Sequence, residues 1–203
     1  MLIRHSGPLP RGTVPFRTGD PFRVIRAVRS GAVKSSVVDE QGREQILGLF
    51  LPGELVGLDA IASGRHSTSG ETPETTELCS FSFPEVAAPL SRLPQLARRP
   101  LELTSEAILR APMYRGEASA EERIAAFLLE IRRRDPASAA TPDCVRLRMG
   151  RRDIASELRL APETVSRVLH RLADQGLIAI ERRAVHLPDP ARLARLAAPV
   201  LRE

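Results

Sequence analysis

The spacing of apolar residues changes its period near the middle of the chain. Up to about residue 83, short apolar runs alternate with turn signals rich in glycine and proline, a pattern typical of antiparallel strands. From about residue 96 onward, apolar residues recur at helical spacing. The pattern predicts an N-terminal antiparallel β-sandwich or β-roll followed by a mainly helical part. The clearest predicted strands are FRVIRAV (22–28), GAVKSSVV (31–38), EQILGLF (44–50) and ELCSFSF (77–83).

Two helices are predicted between the strand-rich part and the C-terminal end. The first covers LARRPLELTSEAILRAPMY (96–114), although Pro112 would kink this helix or end it early. The second covers SAEERIAAFLLEIRRR (119–134), where Ser119 and, three residues later, Glu122 match a capping box. A connector rich in proline and alanine, DPASAATPD (135–143), then leads into a last module.

The last module has the order strand, helix, helix, hairpin. VRLRM (145–149) is a predicted strand and RRDIASELRL (151–160) a predicted helix. RLA (159–161), at the end of that helix, is the only link to PETVSRVLHRLADQG (162–176), which is the tight connection that a helix-turn-helix needs. LIAIERRAVHLP (177–188) then predicts two strands around a basic turn, as in the wing of a winged helix. This order of elements predicts DNA binding.

The second helix of this pair has two chemically different faces. One stripe is apolar and repeats at i, i+3, i+4 and i+7, so it is predicted to be buried. It consists of Val165, Val168, Leu169 and Leu172. The opposite stripe carries Glu163, Ser166 and Arg167 at i, i+3 and i+4. Arginine can donate two hydrogen bonds to guanine, a carboxylate can accept from the cytosine amino group, and serine can adapt to either. We therefore expect these three side chains to read bases, the alternative being a Glu163–Arg167 salt bridge on a solvated face.

Charge and composition agree with a nucleic-acid partner. The chain has 203 residues and a formal net charge of +5, the balance expected of a protein that meets a polyanion. Arginines recur from Arg146 to Arg183, in or beside the helix pair. Phosphate contacts are expected where arginines stand at helix starts, on the second helix and in the wing. These arginines are Arg151, Arg152, Arg171, Arg182 and Arg183.

The same sequence argues against several other classes of protein. The start of the chain lacks an apolar run of signal-peptide length, and no stretch is long and apolar enough for a membrane span, so a cytoplasmic location is expected. Cys79 and Cys144 are the only cysteines, too few for a disulfide framework. Nucleotide-binding glycine motifs, metalloprotease motifs and nucleophile elbows are missing, so we expect neither an enzyme nor a bound metal or cofactor. A signalling module whose helices contact other proteins remains the second alternative class.

These motifs resemble the CRP/FNR superfamily of bacterial transcription regulators over essentially the whole chain. RRDIASELRLAPETVSRVLHRLADQGLI (151–178) is similar to the helix-turn-helix of that family. EQGREQILGLFLPGELVGLDAIASGRH is similar to the β-roll of its FNR branch, and AEERIAAFLLEIRRR to the helix before its DNA-binding domain. The resemblance implies an α+β fold in three parts. They are an N-terminal antiparallel β-roll of the cyclic-nucleotide-binding jelly-roll type (1–96), a long dimerisation helix (97–118) and a C-terminal winged helix-turn-helix (119–203).

The resemblance also implies a target and partners. Glu163, Ser166 and Arg167 match the Glu-x-x-Ser-Arg of the FNR branch, which implies a DNA palindrome with half-sites like TTGAT. A palindrome requires two recognition helices related by a two-fold axis, so a homodimer is expected. RNA polymerase is a further implied partner, although the loop DEQGREQ (39–45) carries Arg43 where activating members commonly have an acidic residue.

The expected dimer interface lies on the predicted helix before residue 118. Apolar groups of Leu101, Ile108 and Met113 recur along this helix, and a seam between two helices would bury them. The alternative is that Ile108 packs against its own β-roll. The sequence favours a dimer that forms without an effector.

Several effectors used in this superfamily are weighed on the residues of the β-roll. Cyclic-nucleotide readers hold the ribose with a glutamate and the phosphate with an Arg-Ser pair. Leu58 and Thr68–Ser69 stand at those positions here, so cyclic AMP is not expected to bind. His5 and His66 are the histidines available for a haem, which remains an alternative.

A [4Fe–4S] cluster is a further alternative for this branch. Its oxygen sensors use three cysteines of an N-terminal extension and one cysteine of the β-roll. Cys79 matches the β-roll cysteine, while Cys144 lies in the connector and matches no ligand position. The chain is then either a truncated form of such a sensor or a member without the cluster. On the chain as given, we expect Cys79 to be a buried strand cysteine with no cluster.

Overall fold

The computed structural model describes residues 4–85, 98, 101–102, 104–105 and 118–201. The Cα positions form two compact units, residues 1–111 and 112–203. The described strands of the first unit are antiparallel, and the second unit combines helices with a small antiparallel sheet. The predicted α+β class is therefore confirmed. None of the described helices is long and apolar enough to cross a membrane.

The N-terminal unit contains two antiparallel sheets. One has the strand order β1-β7-β2-β5 and the other the order β4-β3-β6. The strands are β1 (Arg4–Leu9), β2 (Val24–Ser30), β3 (Val33–Val38), β4 (Glu44–Phe50), β5 (Leu55–Val56), β6 (Ser69–Glu71) and β7 (Thr76–Ser82). A short 3₁₀ turn, Leu58–Ala60, lies between β5 and β6.

Apolar side chains from both sheets meet in one core. Val28, Val56 and Leu78 come from the first sheet and Val33 from the second. Phe16, from the loop between β1 and β2, completes the cluster. Each of these five side chains is at most 3% exposed. Burial of this apolar surface is the main favourable contribution to holding the two sheets together.

The sequence pattern located four of the seven strands found among the described residues of this unit. β2, β3, β4 and β7 lie where alternating apolar runs predicted them, whereas β1, β5 and β6 were not predicted. Cys79 lies on β7 as expected, but it is half-buried and not buried, which corrects the prediction. Its neighbour across the sheet is His5 of β1, and the Cys79 Sγ lies 3.4 Å from His5 Nδ1.

The C-terminal unit follows the predicted order of elements closely. Its helices are α1 (Ala120–Arg134), α2 (Arg151–Leu158), α3 (Pro162–Asp174) and α4 (Pro190–Ala197). Its sheet has the order β8-β10-β9, with β8 (Cys144–Arg146), β9 (Ala179–Glu181) and β10 (Ala184–His186). Cys144 is the first residue of β8 rather than part of the connector. The connector itself contains a 3₁₀ turn, Pro136–Ala139.

Local signals at the helix ends explain these boundaries. The Ser119 side chain accepts a hydrogen bond from the Glu122 backbone N–H, and the Glu122 carboxylate accepts one from the Ser119 N–H, so the predicted capping box is confirmed. Pro162 occupies the first turn of α3, where its missing N–H costs nothing. Gly176 follows α3 with a φ of 67°, a left-handed conformation that glycine adopts without strain.

The predicted dimerisation helix falls largely outside the described residues. Residues 98, 101–102 and 104–105 are helical, and Arg98 Nε donates to Glu102 Oε1 one turn later at 2.8 Å. Leu101 is 67% exposed, one of the most exposed large apolar side chains in the described part of the chain. Ile108 and Met113 lie outside the described residues.

Candidate nucleic-acid interface

The turn between α2 and α3 is closed by backbone hydrogen bonds. The Leu160 N–H donates to the Ala155 carbonyl at 2.8 Å, and the Arg159 N–H donates to the Ser156 carbonyl at 3.3 Å. This pair of bonds is the Schellman arrangement, which requires a left-handed residue between the helix end and the next turn. Arg159 takes that conformation, with φ 55° and ψ 47°. The sharp reversal leaves only three residues, 159–161, between the end of α2 and the start of α3.

The apolar stripe of α3 holds this helix against the rest of the unit. Val165, Val168, Leu169 and Leu172 are each at most 5% exposed, which confirms the predicted buried face. Contacts of α3 with α2 and with α1 form the helical core of the module. Because this face is buried, the opposite stripe of α3 is left to face outward.

The opposite stripe carries the residues expected to read bases. Glu163 and Arg167 are exposed and Ser166 is half-buried. Arg167 Nη2 donates to Thr164 Oγ1 at 3.3 Å. Within the described part of the chain no ion pair joins Glu163 to Arg167, so the salt-bridge alternative is not the arrangement found here. Both charged groups are exposed, and the only side-chain contact that the described residues give Arg167 is this bond to Thr164.

The five arginines predicted to contact phosphate differ in their surroundings. Arg152, Arg182 and Arg183 are exposed, and none has a side-chain hydrogen bond or ion pair within the described residues. Arg151 is half-buried, and its Nη1 is a buried atom without a hydrogen-bond partner. Arg171 forms an ion pair with Glu121 of α1. Three of the five are therefore unpaired cations on the outside of the module, and Arg171 already braces α3 against α1.

The wing is a two-residue hairpin whose tip is Arg182–Arg183. β9 and β10 pair through Glu181↔Ala184 and Ile180↔Val185, and β10 also pairs with β8. The Leu147 N–H donates to the Arg183 carbonyl at 2.7 Å, which ties the tip to the strand end of the module. Arg182 has a φ of 54°, a conformation unusual for a residue with a side chain. The hairpin thus presents two exposed cations on a short, well-bonded support.

One exposed arginine of the module was not singled out by the sequence. Arg159 stands in the helix-turn-helix turn, at a position where glycine is the usual residue. The sequence does show that the predicted tight turn at 159–161 contains no glycine, and this absence could have drawn attention to Arg159. Its left-handed backbone, however, depends on the hydrogen bonds described above and could not be predicted from residue types alone.

In the β-roll, the positions that would hold a cyclic nucleotide are occupied differently. Asp59 Oδ2 accepts hydrogen bonds from the backbone N–H of Ser67 at 2.8 Å and of Thr68 at 3.0 Å. The hydroxyls of Ser67 and Thr68 donate to the same oxygen at 2.9 and 3.2 Å. Leu58 stands at the position expected for a ribose-binding glutamate. The donors of this segment therefore already serve a carboxylate of the same chain.

His66, one of the two histidines that the sequence leaves available for a haem, is buried. It is 3% exposed, stacks on Phe16 with ring centroids 4.4 Å apart, and has Nδ1 3.6 Å from Asp59 Oδ1. A Cβ at Gly57 would lie 2.7 Å from His66 Cε1, so the backbone closes over the imidazole ring. Because Phe16 and the Gly57 backbone cover the ring, a haem iron has no open approach to it, which disfavours His66 as a haem ligand. Within the described residues no three His, Cys, Asp or Glu side chains are grouped as a metal ion would require.

The loop between β3 and β4 is closed by its own charges. Arg43 Nε donates to Asp39 Oδ2 at 2.7 Å, and the Arg43 backbone N–H donates to Asp39 Oδ1 at 2.9 Å. The backbone bond and then the guanidinium bond hold the pKa of the Asp39 carboxyl below its ordinary value. The arginine that departs from the acidic pattern of activating regulators is thus paired with an aspartate of the same loop.

Comparison with known proteins places both units in described families. A model of the Crp-like helix-turn-helix domain matches residues 122–196, and a model of the cyclic nucleotide-binding domain matches residues 7–91. These matches cover the module that carries the candidate interface and the β-roll that precedes it. The second match describes the fold of the β-roll, in which the donors named above are taken by Asp59.

Relatives are similar over almost the whole chain. The transcriptional activator protein Anr of Pseudomonas aeruginosa is 38% identical over 199 residues, which are 97% of this chain and 82% of that protein. The fumarate and nitrate reduction regulatory protein of Escherichia coli K12 is 35% identical over 97% of this chain and 80% of its own length. Among solved structures, FixK2 from Bradyrhizobium japonicum superposes with a TM-score of 0.86 at 28% identity, covering 98% of each chain.

Proposed function

Because the chain belongs to the CRP/FNR family of transcription regulators, we propose that it binds, as a homodimer, a DNA palindrome with TTGAT-type half-sites. Glu163, Ser166 and Arg167 read bases in this proposal, and the exposed arginines beside them contact phosphates. The observation that carries it is the outward stripe of α3, where Glu163 and Arg167 are exposed and not paired with each other. The unpaired Arg182 and Arg183 at the wing tip support it, because a solvated cation is available for a phosphate.

The experiment that tests the proposal compares two labelled duplexes at several salt concentrations. One carries the palindrome and the other the same bases in shuffled order. We expect the palindrome to bind at least about a thousandfold more tightly, with a steep salt dependence for both duplexes. Equal binding of the palindrome and the shuffled duplex would overturn the proposed specificity.

Arg182→Ala isolates the proposed phosphate contact at the wing tip. Alanine keeps the Cβ, so the backbone strain at φ 54° is unchanged while the guanidinium is lost. We expect weaker binding to both duplexes by the same factor and a salt slope smaller by about 0.9. The matched control is Arg195→Ala on α4, because Arg195 is also exposed and lies outside the helix-turn-helix and the wing. A loss confined to the palindrome would contradict the phosphate assignment.

The proposed homodimer uses the helix that contains Leu101. An apolar side chain that is 67% exposed is a plain candidate for burial against a second copy. We expect sedimentation at micromolar concentration to show a dimer without any effector, and Leu101→Glu or Ile108→Glu to shift it to the monomer. Leu47→Glu is the control, since Leu47 of β4 is also exposed, at 48%. A monomeric wild type, or glutamate variants that still dimerise, would contradict the proposal.

Cyclic AMP is not the effector in this proposal. The phosphate would meet the Asp59 carboxylate on the donors of Ser67 and Thr68, where like charges repel. We expect calorimetry to show no binding at cyclic AMP concentrations up to about 1 mM. Asp59→Asn removes the repulsion but supplies no arginine for the phosphate, so it should not bind either. Micromolar binding by the wild type would contradict this prediction.

We propose RNA polymerase as a further partner. We also propose that the protein acts in the cytoplasm, where such a regulator meets its DNA. The charge of the loop between β3 and β4 bears on the polymerase contact. Arg43 neutralises Asp39 there, and the pair is exposed, at 76% and 37% of the two side chains. We therefore do not assign an acidic activating contact to this loop.

A further inference from the structure

Two exposed arginines adopt a backbone conformation that usually requires glycine. Among the described residues, the only ones other than glycine with a positive φ are Arg159, at 55°, and Arg182, at 54°. Both lie in the C-terminal unit, one in the turn before α3 and one at the wing tip. A side chain at such a position is costly, because its Cβ crowds the backbone. Arg182 already belongs to the proposed phosphate contacts, whereas Arg159 has no role so far.

The turn requires a left-handed backbone at position 159, but it does not require an arginine there. The two hydrogen bonds that close the turn, from Leu160 to Ala155 and from Arg159 to Ser156, require a left-handed residue at 159. Glycine would meet that requirement without crowding. The strain of an arginine here is therefore not needed for the turn, and an observed strain of this kind points to a function of the side chain.

The surroundings of Arg159 leave its guanidinium available. The residue is exposed, and within the described part of the chain its side chain has no hydrogen bond or ion pair. Its backbone stands three positions before Pro162, where the helix proposed to enter the major groove begins. Phosphates of the strands that border a major groove are the anions closest to the start of a helix inserted there.

We propose that Arg159 is a further phosphate-binding residue, which contacts the DNA backbone beside the groove entered by α3. This inference rests on the proposed function, because it needs α3 as the recognition helix. The contact adds affinity for any sequence and carries no base preference. Arg159 and Arg182 then hold the module to the backbone from two left-handed positions, the turn and the wing.

Three substitutions at one position separate the side chain from the backbone strain. Arg159→Ala loses the guanidinium and keeps the Cβ, Arg159→Gly loses both, and Arg159→Lys keeps the charge. We expect the alanine and glycine variants to bind the palindrome and the shuffled duplex about three- to tenfold more weakly, with salt slopes smaller by about 0.9. The lysine variant should stay within about twofold of the wild type. Only the glycine variant should melt higher, by about 2–5 °C, because it relieves the crowding.

The outcomes distinguish this inference from the function on which it rests. A wild type that binds DNA, together with alanine and glycine variants that bind equally well at every salt concentration, would overturn the role of Arg159 alone. A loss seen for glycine but not for alanine would also overturn it, since turn flexibility would then be the cause. A wild type without affinity for any duplex would overturn the proposed function and this inference together. Arg195→Ala serves again as the control for loss of one exposed arginine.

Discussion

Arg167→Ala should weaken binding to the TTGAT-type palindrome by about 1–3 kcal/mol, roughly five- to 150-fold. The reason is that an exposed guanidinium on the outward stripe of α3 can donate two hydrogen bonds to one guanine. The half-site TTGAT contains a single G·C pair, so the loss of preference should fall on that pair alone. The measurement is a titration of duplexes in which each base pair of the half-site is changed in turn.

Glu163 should read the same base pair from its other strand. A carboxylate accepts a hydrogen bond from the cytosine amino group, and the only cytosine available is the partner of that guanine. Glu163→Gln should therefore relax preference at the same position as Arg167→Ala. Residues that share a partner are not independent. In a double-mutant cycle, the loss of binding free energy in the double variant should therefore be smaller than the sum of the two single losses.

Two controls keep this prediction sharp. Arg167→Lys keeps the charge but loses the planar pair of donors. It should therefore bind shuffled DNA about as well as the wild type does, but without the wild-type preference for guanine. Thr164→Val removes the hydroxyl that accepts from Arg167 Nη2, and it should change affinity far less than Arg167→Ala. If Arg167→Ala lowered the affinity for every sequence equally, Arg167 would be a phosphate contact and the assignment of the reading face would be wrong.

The C-terminal module could be predicted from sequence because its signals are local. The capping box of Ser119 and Glu122 starts α1, and Pro162 starts α3. The apolar stripe of α3 repeats within a single helix, so its burial follows from spacing alone. The wing tip at Arg182–Arg183 is bounded by short apolar strands that pair with each other across two residues. Each of these features depends on residues fewer than about a dozen positions apart.

The features that sequence reasoning missed depend on contacts between distant residues. β5 has only two residues, Leu55–Val56, and is a strand because it pairs with β2. His66 is buried because Phe16, fifty positions away, stacks on its ring. Arg171, predicted as a phosphate contact, pairs with Glu121 of α1, which lies fifty positions earlier in the chain. Spacing and propensity describe a segment by itself and cannot supply such partners.

Arg148 is a further case, and it carries the largest predicted effect on stability. The alternation of Val145, Leu147 and Met149 gives no sign that Arg148 would be buried, yet this residue is only 8% exposed. Its Nε and Nη2 donate to Asp135 Oδ2 at 3.1 and 2.8 Å. Asp135 is 3% exposed and ends α1, and its Oδ1 accepts from the Ala137 N–H at 3.1 Å. The pair joins the end of α1 to the segment that leads into α2.

Asp135→Leu should lower the free energy of unfolding of the C-terminal unit by about 3–5 kcal/mol, because it removes the buried carboxylate that accepts two hydrogen bonds from the buried Arg148 guanidinium. The double variant Asp135→Leu, Arg148→Met should recover most of this loss, since it replaces both charges of the pair by apolar side chains. The measurement is thermal unfolding of the full chain followed by circular dichroism at the helix band, where the single variant should melt more than about 12 °C lower.

Arg133→Ala is the matched control for this prediction. Its guanidinium is 58% exposed and pairs with Glu130, which Arg134 also approaches, so the loss should stay below about 1 kcal/mol. Below its lowered melting temperature, Asp135→Leu should still prefer the palindrome over the shuffled duplex, because the pair supports the module without touching DNA. A small change in melting temperature for Asp135→Leu would mean that water or another group replaces the carboxylate, and the structural role of the pair would be wrong.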